Sequence, residues 1–457
     1  MMTSYVIPEK VEIDGKIYTV TGIGERAFEQ CSKLASVTIP KTITTIGQDA
    51  FEKCVSLRSI IIPEGVTSIG DGVFQGCTSL TSITLPNSLQ KIGVYVFGDC
   101  SSLTSISIPA GVVTMGEQIF ADCTSLQSVT FSCKKIPSSV FGGHIGCPNL
   151  KEVVLNEGVE SIGDAVFMNC TGLTSLTLPA SLKSIGYNIF QGCTGLTSLK
   201  ILCPEINFEN LGLYDNKNLT SMELHCKTIT RLNCESLTEV LLGNEVETIG
   251  EGAFSGCSKL ASISFPSSLT TIGNYAFGEC KGLTSIEIPA SVTNMGESVF
   301  SGCTGLTSLK VSCKEIIGKH AFAGMENLTE LILGEGVETI GENAFSSLRS
   351  LTEITIPNSV KTIGKDAFSW CENVKSLTIG SGVTYIGARA FAGSSVMKDV
   401  YCYAEVVPEI PSSQDSMDGP PFEWWHYENT TLHVPAASVA AYKAHKEWGQ
   451  FKNIVAM

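Results

Sequence analysis

"LTSITLPNSLQKIGVYVFGDCSS" runs from Leu80 to Ser102, and the same pattern starts again 23 residues later at Leu103. Working outward, a leucine opens further copies at 34, 57, 126, 150, 173, 196, 219, 237, 260, 283, 306, 328 and 351, with Val374 and Met397 in the same place. Most steps are 23 residues; those into Leu150, Leu237 and Leu328 are 24, 18 and 22. A fixed period in this range marks a solenoid, whose copies bury their apolar sides only against their neighbours. The copies predict a curved α/β solenoid of about 17 rungs with a parallel β-sheet on one face. A short second strand and a helical turn form the other faces, and a cap closes the C-terminal end.

Four columns carry this reading. The first is a strand, Leu-x-x-[Ile/Val/Leu]-x-[Ile/Leu]-Pro, as in Leu283, Ile286, Ile288 and Pro289; apolar residues alternate with Ser or Thr at the period of a half-buried strand. Proline is expected to end the strand where no donor is needed. The second is [Val/Leu]-x-x-[Ile/Met]-Gly, as in Val360, Ile363 and Gly364; a glycine repeated in fourteen copies needs positive φ or has no room for a Cβ. The third is a phenylalanine four residues on, predicted to stack into a spine that buries on the order of 2 kcal/mol per ring. The piece joining glycine to phenylalanine suits one short helical turn.

The fourth column is cysteine, three residues before the leucine, and holds thirteen of the 18 cysteines. The same slot holds Asn216, Met325, Leu348 and Ser394 elsewhere, and neither Met nor Leu can replace a bridge or a thiolate. Equivalent residues on neighbouring rungs stand about 4.8 Å apart with parallel Cβ vectors, unlike the inward-turned Cβ atoms of a disulfide. The cysteines therefore read as buried free thiols packing as small hydrophobes, and no histidine or second cysteine stands at zinc spacing.

Apolar residues make up 43% of the chain, enough for a continuous core, while charged residues are only 16%. The net charge of −15 argues against phosphate-rich nucleic acid and against anionic lipid as partners. No stretch reaches the roughly 20 apolar residues of a membrane-spanning helix. The six histidines (144, 225, 320, 426, 433, 445) are scattered, and no acid pair recurs with a nucleophile. The expectation is a non-enzymatic chain without cofactor or metal site.

The run "IGNYAFGECKGLTSIEIP" (Ile272 to Pro289), repeated over a dozen times, and the opening "DGKIYTVTGIGERAF" resemble the BspA-like, or Treponema-type, leucine-rich repeats. The resemblance covers roughly residues 5 to 400. It implies an exported or cell-surface protein of a host-associated microbe, used for adhesion, with no catalytic motif to carry over. On this resemblance the chain is expected to be extracellular, its export signal removed. Many unpaired cysteines argue the other way, being more at home in a reducing compartment.

The expected divisions are 1–20 as an N-terminal lead-in strand or cap, 21–399 as repeats and 400–457 as a C-terminal capping segment. In that segment Ser438 reads as the N-cap of a helix, and Trp448, Phe451 and Ile454 are expected to cover the last rung. The aromatic cluster at Phe422, Trp424, Trp425 and Tyr427 reads either as part of this cap or as a platform for sugar rings.

The exposed strand positions form the largest regular surface, which at about 4.8 Å per rung would run roughly 80 Å. Ser82, Thr84, Ser105, Glu152, Ser175, Thr177, Glu239 and Glu330 on this face are candidate contacts for a protein partner. Trp424, Trp425 and Tyr427 are the candidates for a glycan, and a structural spacer is a third reading. Two stretches break the rhythm, 132–147 and 200–236; they read as tolerated drift or as a notch that a partner recognises.

Overall fold

A computed structural model describes residues 3–411 and 419–457. The serine- and aspartate-rich part of the expected cap, 412–418, lies outside the described residues. The chain forms two compact units, Met1–Cys226 and Lys227–Met457, each a stack of parallel rungs.

In both units the long strands pair at identical repeat positions. Ser105–Ile108, Ser128–Phe131 and Glu152–Leu155 align as Ser105↔Ser128↔Glu152. In the second unit, Ser285–Ile288, Ser308–Val311 and Glu330–Leu333 do the same. The alternation reads out directly: Ile106 and Ile108 are buried, Ser105 and Ser107 exposed. A second ladder joins two-residue strands such as Thr45–Ile46, Ser68–Ile69 and Lys91–Ile92.

A third ladder replaces the expected helical turn. Asp49, Phe51 and Lys53 donate their N–H groups to the carbonyls of Asp71, Val73 and Gln75 in the following copy, at 2.9, 2.9 and 2.7 Å. Asp49 (φ 53°) and Lys53 (φ 55°) are left-handed, and most copies repeat this pair. A single helical turn makes few internal bonds at high entropic cost; here the same N–H groups find partners on the neighbouring rung.

The column glycine is set by space rather than by φ. A Cβ on Gly70 would lie 2.7 Å from the Gln48 nitrogen and 2.9 Å from the Gly47 carbonyl carbon, so the rung below leaves it no room. The phenylalanines stack with ring centroids 5.1–5.9 Å apart within each unit. The irregular stretch 132–147 keeps the spine through Phe141, which stacks on Phe120 and Phe167. In 200–236, two short 3-10 turns bury Phe208, Leu211 and Leu213 in the core instead.

All eighteen cysteines are free thiols, and only Cys31 is exposed. The column has a polar role beyond packing. Cys77, Cys100 and Cys123 donate to the carbonyls of Phe51, Phe74 and Phe97 at 3.2, 3.2 and 3.0 Å. Asn216 fits the same slot because its amide reaches the Phe190 carbonyl at 3.1 Å. Burial pushes many of the column thiols up, to about 12 for Cys147 and Cys371.

At the N-terminus, Ser4–Val6 pairs with Ser36–Thr38 as a first rung. An exposed antiparallel hairpin, Lys10–Ile13 with Lys16–Thr19, follows and turns at Asp14 and Gly15, both at positive φ. At the other end the rungs continue past 400. Thr431–Val434 and Asn453–Ala456 extend the sheet in parallel, and Phe422 stacks on Phe391 at 5.4 Å. Trp448, Phe451 and Ile454 are buried there. Ser438 does not cap its helix through its side chain; its hydroxyl donates to the Glu405 carbonyl at 2.7 Å.

Candidate binding face

Proline shapes the strand face more than expected. Where a copy ends without proline, the next N–H donates back to the preceding rung: Ser132 to Ile108, Leu202 to Leu178, Ser312 to Ile288. Proline removes that donor. In the first unit the sheet divides before Ser59–Ile61, Ser105–Ile108 and Ser175–Leu178, strands that run into Pro63, Pro109 and Pro179. In the second it divides on both sides of 262–266 and before Glu353–Ile356, at copies ending in Pro266, Pro289 and Pro357. Residues 262–266 form no strand at all. Two proline-ended copies, at Pro40 and Pro86, stay paired to the preceding rung.

These divisions open shallow grooves. One of about 470 Å³ lies at the Pro179 division, lined among others by Glu152, Val154, Ser175, Thr177, Lys200 and Glu223. Lys200 Nζ stands 2.7 Å from Glu223, and His225 Nε2 is 2.9 Å from the same carboxylate. The hydrogen bond from Lys200 and then that from His225 hold Glu223 below the usual carboxylate range. A groove of about 280 Å³ lies at the Pro266 division, lined by Glu239, Leu241, Ser262, Ser264 and Phe265 among others.

The two units differ in what they display. Ser82, Thr84, Ser105, Glu152, Ser175 and Thr177 are exposed on the first, which is mostly Ser and Thr. The second exposes Glu239, Glu287, Glu330 and Glu353 on its strands, with Leu241 58% and Ile332 44% exposed beside them. Lys310 pairs with Glu287 at 2.6 Å, and Ser308 donates to Glu330 at 2.6 Å. At the far rungs of this unit Tyr401 stacks on His433 at 4.3 Å, and His433 Nε2 lies 2.9 Å from Asp399. The sequence reading passed over Leu241, Ile332 and this Tyr–His–Asp group; their signal was a departure from Ser or Thr at an exposed strand position.

The irregular stretch in the first unit is tied down by one carboxylate. The Asp122 carboxylate accepts from the N–H groups of Ile145, Gly146 and His144 at 2.7, 3.0 and 3.3 Å. Partial burial pushes its pKa up, but these bonds outweigh that and hold it low.

The aromatic cluster is split by burial. Tyr427 is 6% exposed and packs edge-on against Phe451 at 5.0 Å, so it offers no face to a ligand. Trp425 is half-buried, and Trp424 is 70% exposed. The helix Trp424–Asn429 is fixed by Glu423 and His426. His426 Nδ1 accepts from the Glu423 N–H at 3.0 Å, which leaves the ring proton on Nε2 to meet the Ser394 carbonyl at 2.9 Å.

Among the described residues no group of His, Cys, Asp and Glu has a metal-binding arrangement, and no helix is long and apolar enough to cross a membrane. The repeat family described as the BspA type leucine rich repeat region, defined over six copies, matches at residues 21–146, 134–233, 230–316 and 312–411. The chain belongs to this BspA-type leucine-rich-repeat family. Similar solved structures include a leucine-rich repeat protein from Bacteroides ovatus, 29% identical, covering 87% of this chain and 86% of that one, with a TM-score of 0.38. A leucine-rich cell surface protein from Faecalibacterium prausnitzii is 23% identical over 92% of this chain and 91% of that one, with a TM-score of 0.35. The Treponema pallidum leucine-rich repeat protein is 31% identical over 42% of this chain and 78% of that one, with a TM-score of 0.32. No match was found among proteins of curated function. The assignment to the BspA-type family rests on the repeats themselves.

Proposed function

We propose that this BspA-type protein is a non-enzymatic binding protein of the cell surface or extracellular space, which holds a protein partner on the strand face of its repeats. The observation that carries the reading is the face of the second unit. There Glu239, Glu287, Glu330 and Glu353 accompany Leu241 and Ile332, exposed apolar side chains at a strand position where most copies have Ser, Thr or charge; in the first unit Ile61 and Val154 are exposed at the same position without such an acidic row. Apolar anchors within a polar rim are what protein interfaces use. The acidic row favours a basic partner surface. On this reading Ser82, Thr84, Ser105, Glu152, Ser175 and Thr177 form a weaker, adaptable flank, and segments 1–20 and 400–457 cap the stack.

The test is an array of extracellular-matrix proteins probed with the full chain, then with Leu241→Ala and with Glu330→Lys. Capture of a basic matrix protein, weakened by both variants and by added salt, is the expected result. Absence of any micromolar binder, or binding indifferent to both substitutions, refutes the reading. Fractionation of the source cells checks the compartment: the protein is expected outside the cytoplasm.

A further inference from the structure

We propose that the turn edge of the second unit, away from the strand face, carries a stacking site for a neutral oligosaccharide, built from Trp370 and Trp424. Phe368, Phe391 and Phe422 stack in succession at 5.9 and 5.4 Å. The residues two positions on, Trp370, Gly393 and Trp424, therefore share one column. Trp370 N–H donates to the Ala392 carbonyl at 2.7 Å, and at the next step the Glu423 side-chain carboxylate takes the place of a backbone acceptor, receiving the Gly393 N–H at 2.7 Å. Trp370 is 59% exposed and Trp424 70%.

Gly393 makes the column usable. It has no side chain to stand between the indoles, and a Cβ there would lie 3.1 Å from Trp370 Cε3. The Trp370 ring thus lies along bare backbone, and Trp424 hangs two rungs away, roughly 10 Å. Trp424 is held by Trp425, edge to face at 5.6 Å, and its helix is pinned from beneath by His426 and Thr430, the latter donating to Met397 at 2.9 Å. Two exposed indoles on a rigid support are not explained by the core, which Phe422, Tyr427, Trp448 and Phe451 already fill.

The ligand class follows from what flanks the column. Arg389 pairs with Asp366 at 2.8 Å, and Arg349 lies between Glu326 at 3.0 Å and Glu372 at 3.4 Å. These groups offer planar donors and acceptors suited to hydroxyl groups, and every cation among them is paired with a carboxylate. Such a surface favours a neutral, hydroxyl-rich ring that presents C–H groups to an indole face. The spacing of the two rings suits a chain that stacks on both, with an unstacked sugar between. Two side chains are too small a footprint for a stable protein interface.

The experiment is a panel of neutral oligosaccharides (β-glucan, mannan and chitin fragments of two to six sugars), titrated by tryptophan fluorescence against the full chain. Binding that tightens from disaccharide to tetrasaccharide is expected. Trp370→Ala and Trp424→Ala should each weaken it about tenfold or more, the worth of one stacked ring. Tyr187→Ala, an exposed aromatic on the other unit, should leave it unchanged, as should Leu241→Ala on the strand face. Should Trp424→Ala lower the melting temperature, Trp370→Ala alone decides. No binding to any oligosaccharide of the panel, or binding indifferent to Trp370→Ala, overturns the proposal and leaves the strand-face reading untouched.

Discussion

Native thiol reactivity tests the buried column most directly. Ellman's reagent attacks through the thiolate, so its rate follows the thiolate fraction and access together. At pH 8 an unperturbed thiol, pKa about 8.5, is roughly a quarter ionised. Burial lifts Cys54, Cys147, Cys193, Cys257 and Cys371 to about 12. A thiol at that value is ionised to about one part in 10⁴ at pH 8, a drop of roughly 10³-fold from ionisation alone. Steric exclusion adds to it. Cys31 is the single exposed thiol of the eighteen. The native, unreduced chain should release one fast equivalent, abolished by Cys31→Ser, and all 18 after unfolding in guanidinium. The second thiol to react is expected to be Cys203, pulled down by a hydrogen bond with Cys226. Several fast equivalents in the native chain, or markedly fewer than eighteen in the unfolded one, would show the interior to be open or cross-linked and defeat the reasoning.

Phe277 is fully buried and stacks at 5.3 and 5.2 Å on Phe254 and Phe300; Phe277→Ala should cost about 3–5 kcal/mol in urea unfolding, and a loss below about 1 kcal/mol contradicts a stacked spine. Gly70→Ala drives a Cβ into the backbone of the rung below and should destabilise by about 1–3 kcal/mol, whereas Gly24→Ala, with nothing within 4 Å, should be near neutral. Equal effects at the two glycines would mean that room for Cβ is not what selects the residue. Burial lowers the pKa of His426, against bonds at Ser394 and Glu423 that raise it. The unfolded chain therefore takes up a proton near pH 6.5 that the folded chain resists, and the histidine costs stability as pH falls below that value. Glu423 shifts upward by burial and works in the opposite sense, so the comparison is with His426→Gln, which should melt with a shallower decline between pH 7.5 and 5.5; superimposable profiles reject the assignment.

The rungs, the phenylalanine spine and the thiol column were legible because each needs only a residue type at a fixed interval. What stayed hidden depends on backbone geometry. The Gly-to-Phe piece looks like a helical turn in composition, yet left-handed residues as varied as Asp49, Lys53, Tyr95 and Trp370 carry no shared sequence sign. Asp14-Gly15 did carry a hairpin sign, but the repeat pattern drew the reading past it. The proline at strand ends was visible, while its effect emerges only when the neighbouring carbonyl is seen to lack a donor. Among site residues, the choice between cap and platform at Tyr427 stayed open because the Phe451 ring it packs against lies over twenty residues away. Trp370 was missed because its partner Trp424 joins its column only through a longer final copy.

The equivalence of the columns bears on how such a chain changes length. Each Phe, Gly and Cys meets the same chemistry above and below, so removing or duplicating one whole 23-residue copy leaves its former neighbours facing familiar surfaces. Loss or gain of one whole copy would then yield foldable products, as long as the unusual first and last copies are kept. The interior tolerates growth and shrinkage, and the features that distinguish one such protein from another have to sit at positions that break the repeat.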